Sequence, residues 1–162
     1  VENAIKAHIK VKLDEDPEYY QSLSLRLQEI IQKCENRWEE LVQQLLLFRD
    51  GMEQEKTDQS TALGLTDEEG AFYRVLMKEV TEAVGDGAMD EETHQQVLDL
   101  TKELVAEFQE ATQIVGFFQK DDEMRTIKRQ IKRSILDRPF GSKELVAEVT
   151  DRFMDLAKVR FK

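Results

Sequence analysis

The chain has 162 residues, 40% of them hydrophobic and 35% charged, with a formal net charge of −11. That is enough for one domain with a sizeable core. Only 7 glycines and 2 prolines punctuate it, which excludes a disordered tail and disfavours a sandwich. A single cysteine, Cys34, excludes an internal disulfide framework and fits a reducing cytosol, and no apolar run approaches the roughly 20 residues of a membrane span.

The first predicted element is "VENAIKAHIKVKL", which places Ala4, Ile5, His8, Ile9 and Leu13 on one helical face. Asp16-Pro17 starts the next helix: Asp16 can cap, and Pro17 suits the first turn. Apolar positions then recur at Tyr20, Leu23, Leu27, Ile30 and Cys34, and continue through Trp38, Leu41, Leu45, Phe48 and Met52. The doubled four-residue step is a stutter, so a kink or short break is expected near Glu35–Arg37. Trp38 lies on the stripe and is assigned to the core. "KTDQSTALGLT" reads as a polar loop.

"TDEE" at Thr66–Glu69 is a capping box opening a helix with Phe72, Val75, Leu76, Val80 and Val84 inward. "GDGAMD" breaks it, and Asp90 caps a helix lined by Val97, Leu100, Leu104, Val105 and Phe108. Asp121 or Asp122 is the expected cap of the next helix. "RPFGS" ends that one, and Ser142 caps a last helix carrying Leu145, Val149, Phe153, Leu156 and Val159. No segment alternates long enough to suggest a sheet. The expected fold class is therefore all-α, a single compact non-repeat domain of six or seven helices over residues 1–162.

Catalytic patterns are missing. No lysine has an acid two positions before it, and no Gly-Lys dipeptide occurs, which removes half of a common nuclease metal site and the end of a phosphate-gripping loop. His8 and His94 have no partner at metal-ligand spacing; His8 is expected to be a partly buried helix residue and His94 a surface one. "GDGAMDEE" is out of register for a calcium loop. No metal site and no catalytic residue are assigned.

Charge is unevenly spread. From Met124 onward there are 11 Lys and Arg against 5 Asp and Glu, whereas the preceding residues hold 12 against 29. Within "MRTIKRQIKRSILDR", Met124, Ile127, Ile131 and Ile135 form an apolar stripe, and Arg125, Lys128, Arg129, Lys132 and Arg133 occupy the other faces with no acid among them. Two readings stay open: internal pairing with the acidic body, or contact with DNA or an acidic partner. The same residues are the candidate DNA contacts. Phe117 and Phe118, in "IVGFF" at a helix end, are the candidate partner contacts.

The blocks "ENAIKAHIKVKLDEDPEYYQSLSLRLQEII", "NRWEELVQQL", "LGLTDEEGAFYRVL" and "LTKELVAEFQEATQIVGFFQKDDEMRTIKRQIKRSIL" occupy most of residues 2–136. In that order they resemble the C-terminal helical domain of the motor subunit of type I restriction enzymes. Gly116-Phe117-Phe118 departs from the Asp-Phe-Trp-like run expected there; the aromatic character stays and a charge is lost. The resemblance implies a fragment of a longer cytoplasmic chain, itself without cofactor, whose upstream domains use ATP and Mg as an ATP-dependent site-specific deoxyribonuclease. It implies as partners the methyltransferase and specificity subunits, and DNA in the assembled complex, with no membrane. It implies a non-catalytic assembly role, docking the translocase onto the methyltransferase core. The alternative is a free-standing helical protein-interaction adaptor unrelated to DNA.

Overall fold

A computed structural model describes residues 1–161. The chain is 82% helical, with seven α-helices and no strand among the described residues, as the all-α expectation requires. Contacts group it into two compact units, Val1–Asp67 and the stretch from Glu68 onward.

In the first unit, α1 (Glu2–Lys12) turns through Leu13–Asp16 into α2 (Pro17–Lys33), and α3 (Trp38–Ala62) follows. The Asp16 carboxylate accepts the Tyr19 N–H at 3.3 Å, and Pro17 opens the first turn without leaving a donor orphaned. Ile5 and Ile9 of α1 meet Tyr19, Tyr20, Leu23 and Leu27 of α2 and Leu45, Phe48 and Met52 of α3 in one buried cluster. Burying side chains of this size stabilises by about 1.5–3 kcal/mol each.

The break expected near Glu35–Arg37 is present. Asn36 takes a left-handed φ of 68°, a conformation asparagine tolerates better than most residues, and the helix restarts at Trp38.

Two expectations for this unit are overturned. Trp38 is not in the core: it is 75% exposed. Because Cα–Cβ bonds tilt toward a helix N-terminus, a side chain in the first turn overhangs the end of its helix. The interruption at Asn36 leaves nothing there to cover it. The stretch from Lys56 to Thr66 is not all loop, since α3 runs on to Ala62. Lys56 and Ser60, at four-residue steps from Met52, continue its buried face with polar side chains, and hydropathy cannot see that. The helix stops in a Schellman motif: Leu65 N–H donates to the Ser60 carbonyl at 2.9 Å and Gly64 N–H to Thr61 at 3.0 Å. Gly64 supplies the required positive φ of 70°.

In the second unit, α4 (Asp67–Val84) begins directly after Thr66, α5 is Glu91–Ala111, α6 is Asp121–Leu136 and α7 is Lys143–Arg160. Short 3-10 turns occupy Asp86–Ala88 and Phe117–Gln119. Asp90 caps α5 through the Thr93 N–H at 2.8 Å, and Ser142 caps α7 through Leu145 N–H at 3.1 Å. The core is aromatic at its centre: Phe72 stacks on Phe108 and meets Phe153 edge-on, with centroids 5.8 and 5.0 Å apart. Val84 and Val159, expected inward, are half-buried.

The expected cap of α6 is also corrected. Lys120 takes the N-cap position without a side-chain bond, and Asp121 and Asp122 fall inside the first turn with Glu123. There their charges complement the positive helix end instead of closing it.

Candidate nucleic-acid interface

Helix α6 is built in two halves around its axis. Ile127, Ile131 and Ile135 are at most 1% exposed and pack α6 between α5 and α7. Arg125, Lys128, Arg129, Lys132 and Arg133 are all exposed. At 3.6 residues per turn these five bases sweep an arc of about 140° away from the isoleucines. Leu136 is the one exposed apolar side chain in that arc.

Among the described residues, no carboxylate around α6 pairs with Lys128, Arg129, Lys132 or Arg133. Arg125 pairs with Asp122 one turn back at 3.3 Å, a solvated contact of small value. Glu103 of α5 accepts from Ser134 Oγ at 3.1 Å and from Arg138 at 2.7 Å. Glu107, Glu110 and Glu123 line a recess of about 500 Å³ on the flank of α6 that carries Thr126 and Gln130. Among the described residues, Lys128, Arg129, Lys132 and Arg133 form no ion pair. Internal pairing, the stronger of the bland explanations for this basic stretch, therefore captures Arg138 and Arg125 and leaves these four unsatisfied by the protein. What they offer chemically is a row of cations without an acceptor of their own, at turn-by-turn spacing of about 6 Å.

The two phenylalanines separate. Phe117 is buried at 3% exposure, and Phe118 is half-buried with its ring edge-on to Phe117, centroids 5.0 Å apart. Both line a recess of about 550 Å³ with Lys158 and Phe161 of the chain end. The most exposed apolar residue at its rim is Val115, at 89%, which sequence periodicity did not single out. Gly116, directly before Phe117, holds a φ of 70° and turns the chain into the 3-10 helix.

His8 is half-buried as expected, whereas His94 is not a plain surface residue. Its Nε2 lies 2.6 Å from the Tyr73 hydroxyl, and the two rings meet edge-on. Cys34 is buried and forms no disulfide. Among the described residues no group of three His, Cys, Asp or Glu side chains could hold a metal ion, and no helix is long and apolar enough to cross a membrane.

One polar cluster escaped the sequence reading. In the first unit, Glu53 of α3 accepts from Tyr20 Oη at 2.6 Å, lies 2.9 Å from His8 Nε2 and 3.3 Å from Lys56 Nζ. Lys56 is itself buried, reaches Asp67 at 3.4 Å and stands 5.4 Å over the Tyr20 ring. Partial burial pushes the Glu53 carboxyl up, but the hydrogen bonds from Tyr20 and His8 and the Lys56 charge outweigh it and hold it down at about 2. Burial and then the Glu53 contact push the Tyr20 phenol well above its ordinary value. The only sequence trace of this cluster is Glu53 and Lys56 at i, i+3.

The chain matches, over residues 1–159, the model of a class of restriction-enzyme domains. It belongs to that family, described as type I restriction enzyme HindI endonuclease subunit-like, C-terminal. No curated protein and no solved structure matches the chain.

Proposed function

We propose that this chain is a non-catalytic assembly domain of a type I restriction enzyme motor subunit. It docks the ATP-dependent translocase and nuclease onto the methyltransferase core in the cytoplasm, and its helix α6 adds a contact to the DNA backbone. ATP and Mg serve the upstream domains of the parent subunit. The family supports the restriction-enzyme setting. The observation that carries the DNA contact is the set of four exposed bases on α6 that no carboxylate among the described residues neutralises, on a helix whose isoleucine side is buried. Phosphate contacts of this kind position a duplex without reading its sequence, which suits a translocating machine.

The test is the salt dependence of duplex binding by the assembled complex, for wild type and for the variant with Lys128, Arg129, Lys132 and Arg133 all changed to glutamate. Each phosphate contact contributes a slope of about −0.9 in log affinity against log salt. With about three of the four bases on phosphate, the variant slope is shallower by about 3. Coincident slopes, with helicity retained, would remove the DNA contact from the reading.

A further inference from the structure

The bases of α6 are ordered over its face. Residues four apart on a helix differ by about 40° around the axis and about 6 Å along it, whereas neighbours differ by about 100°. Lys128 and Lys132 therefore form one file, and Arg129 and Arg133 a second, about 100° further round. With side chains extended about 6 Å beyond a Cα radius of about 2.3 Å, the charged heads of the two files stand about 13 Å apart. Neither file forms an ion pair among the described residues.

The helix also stands as a ridge. Exposed residues run round it from Lys128 through Arg125, Arg129 and Arg133 to Thr126 and Gln130, an arc of about 200°. Its isoleucine side is sunk between α5 and α7. Midway between the two files lie Arg125, paired with Asp122 at 3.3 Å, and Leu136, 43% exposed.

Three kinds of occupant compete for such a ridge. An amphipathic protein helix docks by burying several apolar anchors, and Leu136 is the one exposed apolar side chain in the basic arc. Single-stranded nucleic acid brings one row of phosphates and is held by stacking its bases on aromatic side chains; α6 carries no aromatic residue. A duplex brings two rows of phosphates, one on each side of a groove. The minor groove, about 6 Å wide, is too narrow for a helix, whereas the major groove, about 12 Å wide, admits one. That width matches the separation of the two files. We propose that α6 lies in the major groove of a B-form duplex, with Lys128 and Lys132 on phosphates of one strand and Arg129 and Arg133 on phosphates of the other. This placement rests on the DNA contact proposed above and assigns to it a double-stranded substrate and a groove.

The experiment is phosphate-ethylation interference on the assembled complex bound to duplex DNA, with each strand end-labelled in turn. Wild type is compared with Lys128→Gln plus Lys132→Gln, and with Arg129→Gln plus Arg133→Gln. Glutamine removes the charge and keeps a polar, helix-compatible side chain. All four positions are exposed and form no ion pair, so circular dichroism should be unchanged in both variants. The lysine variant should lose interference at neighbouring phosphates of one strand. The arginine variant should lose it at phosphates of the other strand, facing the first set across the major groove. Each file holds one or two contacts, so each pair of substitutions should flatten the slope of log affinity against log salt by about 1–2. Loss on the same strand in both variants, or at phosphates that face each other across the minor groove, would overturn the placement and leave the DNA contact standing. Unchanged interference in both variants, with an unchanged salt slope when all four bases are reversed to glutamate, would remove the DNA contact and the placement with it. Variants that keep the interference pattern but lose their hold on the methyltransferase core would also overturn the proposal, by marking the ridge as a protein surface.

Discussion

Glu53 offers a quantitative test of what holds the first unit together. The carboxyl is held at about 2, below its ordinary 4.5, by Tyr20, His8 and Lys56 acting against partial burial. A carboxyl whose folded value lies below its unfolded one adds stability that is complete above about pH 4.5. That contribution fades as pH falls toward 2 and is absent below it. At about 1.4 kcal/mol per pH unit the gap sets a ceiling of about 3 kcal/mol. The Glu53 side chain is 51% exposed, so solvent screens much of this, and about 1 kcal/mol is the working figure. Glu53→Gln keeps the shape and one acceptor and removes the charge. Its cost at pH 7 should be about 1 kcal/mol, equivalent to about 2–4 °C in Tm for a protein of this size. Urea unfolding of wild type and variant at pH 7, 5, 4, 3 and 2, followed by circular dichroism, provides the assay. The two midpoints should converge as the pH approaches 2. A difference that stays constant from pH 7 to 2, or an undetectable one at pH 7, would refute the account of the cluster as a charge network.

Two further outcomes follow from backbone and burial. A methyl at Gly141 would clash with the Ile135 carbonyl oxygen and stand 2.9 Å from Leu136 Cα, so Gly141→Ala should destabilise by about 2–3 kcal/mol. Gly64→Ala meets open space and carries only the left-handed backbone penalty of about 1–2 kcal/mol; equal urea midpoints for the two variants would contradict this ordering. Trp38, the only tryptophan, should emit as a water-exposed indole and be quenched freely by iodide, and Trp38→Ala should change stability by no more than about 0.5 kcal/mol. A blue-shifted, protected emission would place it back in a core.

The helical class and most helix starts were legible because they depend on local chemistry. Asp16, Asp90 and Ser142 cap as their positions dictate, and the stutter between Ile30 and Trp38 marked a real interruption. What was not legible depends on neighbours in space. Trp38 keeps the phase of the apolar stripe, yet the chain that would cover it has already turned away at Asn36. Lys56 and Ser60 read as loop because polar residues on a buried face look like solvent-facing ones until their partners are known. The bases of α6 were visible in the sequence, but whether carboxylates from other helices reached them was not. Glu103 answers that by reaching Ser134 and Arg138 instead.

The order of charges along α6 has a mechanical side. The helix opens with Asp121, Asp122 and Glu123 and carries its bases from Arg125 to Arg133. An anionic chain lying along it climbs a potential ramp, repelled at the start and drawn in over the last two turns. A DNA footprint of the kind proposed would thereby be fenced at one end, with an off-register anion pushed toward Lys132 and Arg133. Those two bases also sit near the negative end of the helix, where cations steady it. For the proposed contact, grip and helix stability would thus be tied together at the C-terminal turns and come apart toward Lys128, so the helix would loosen its hold from the fenced end first.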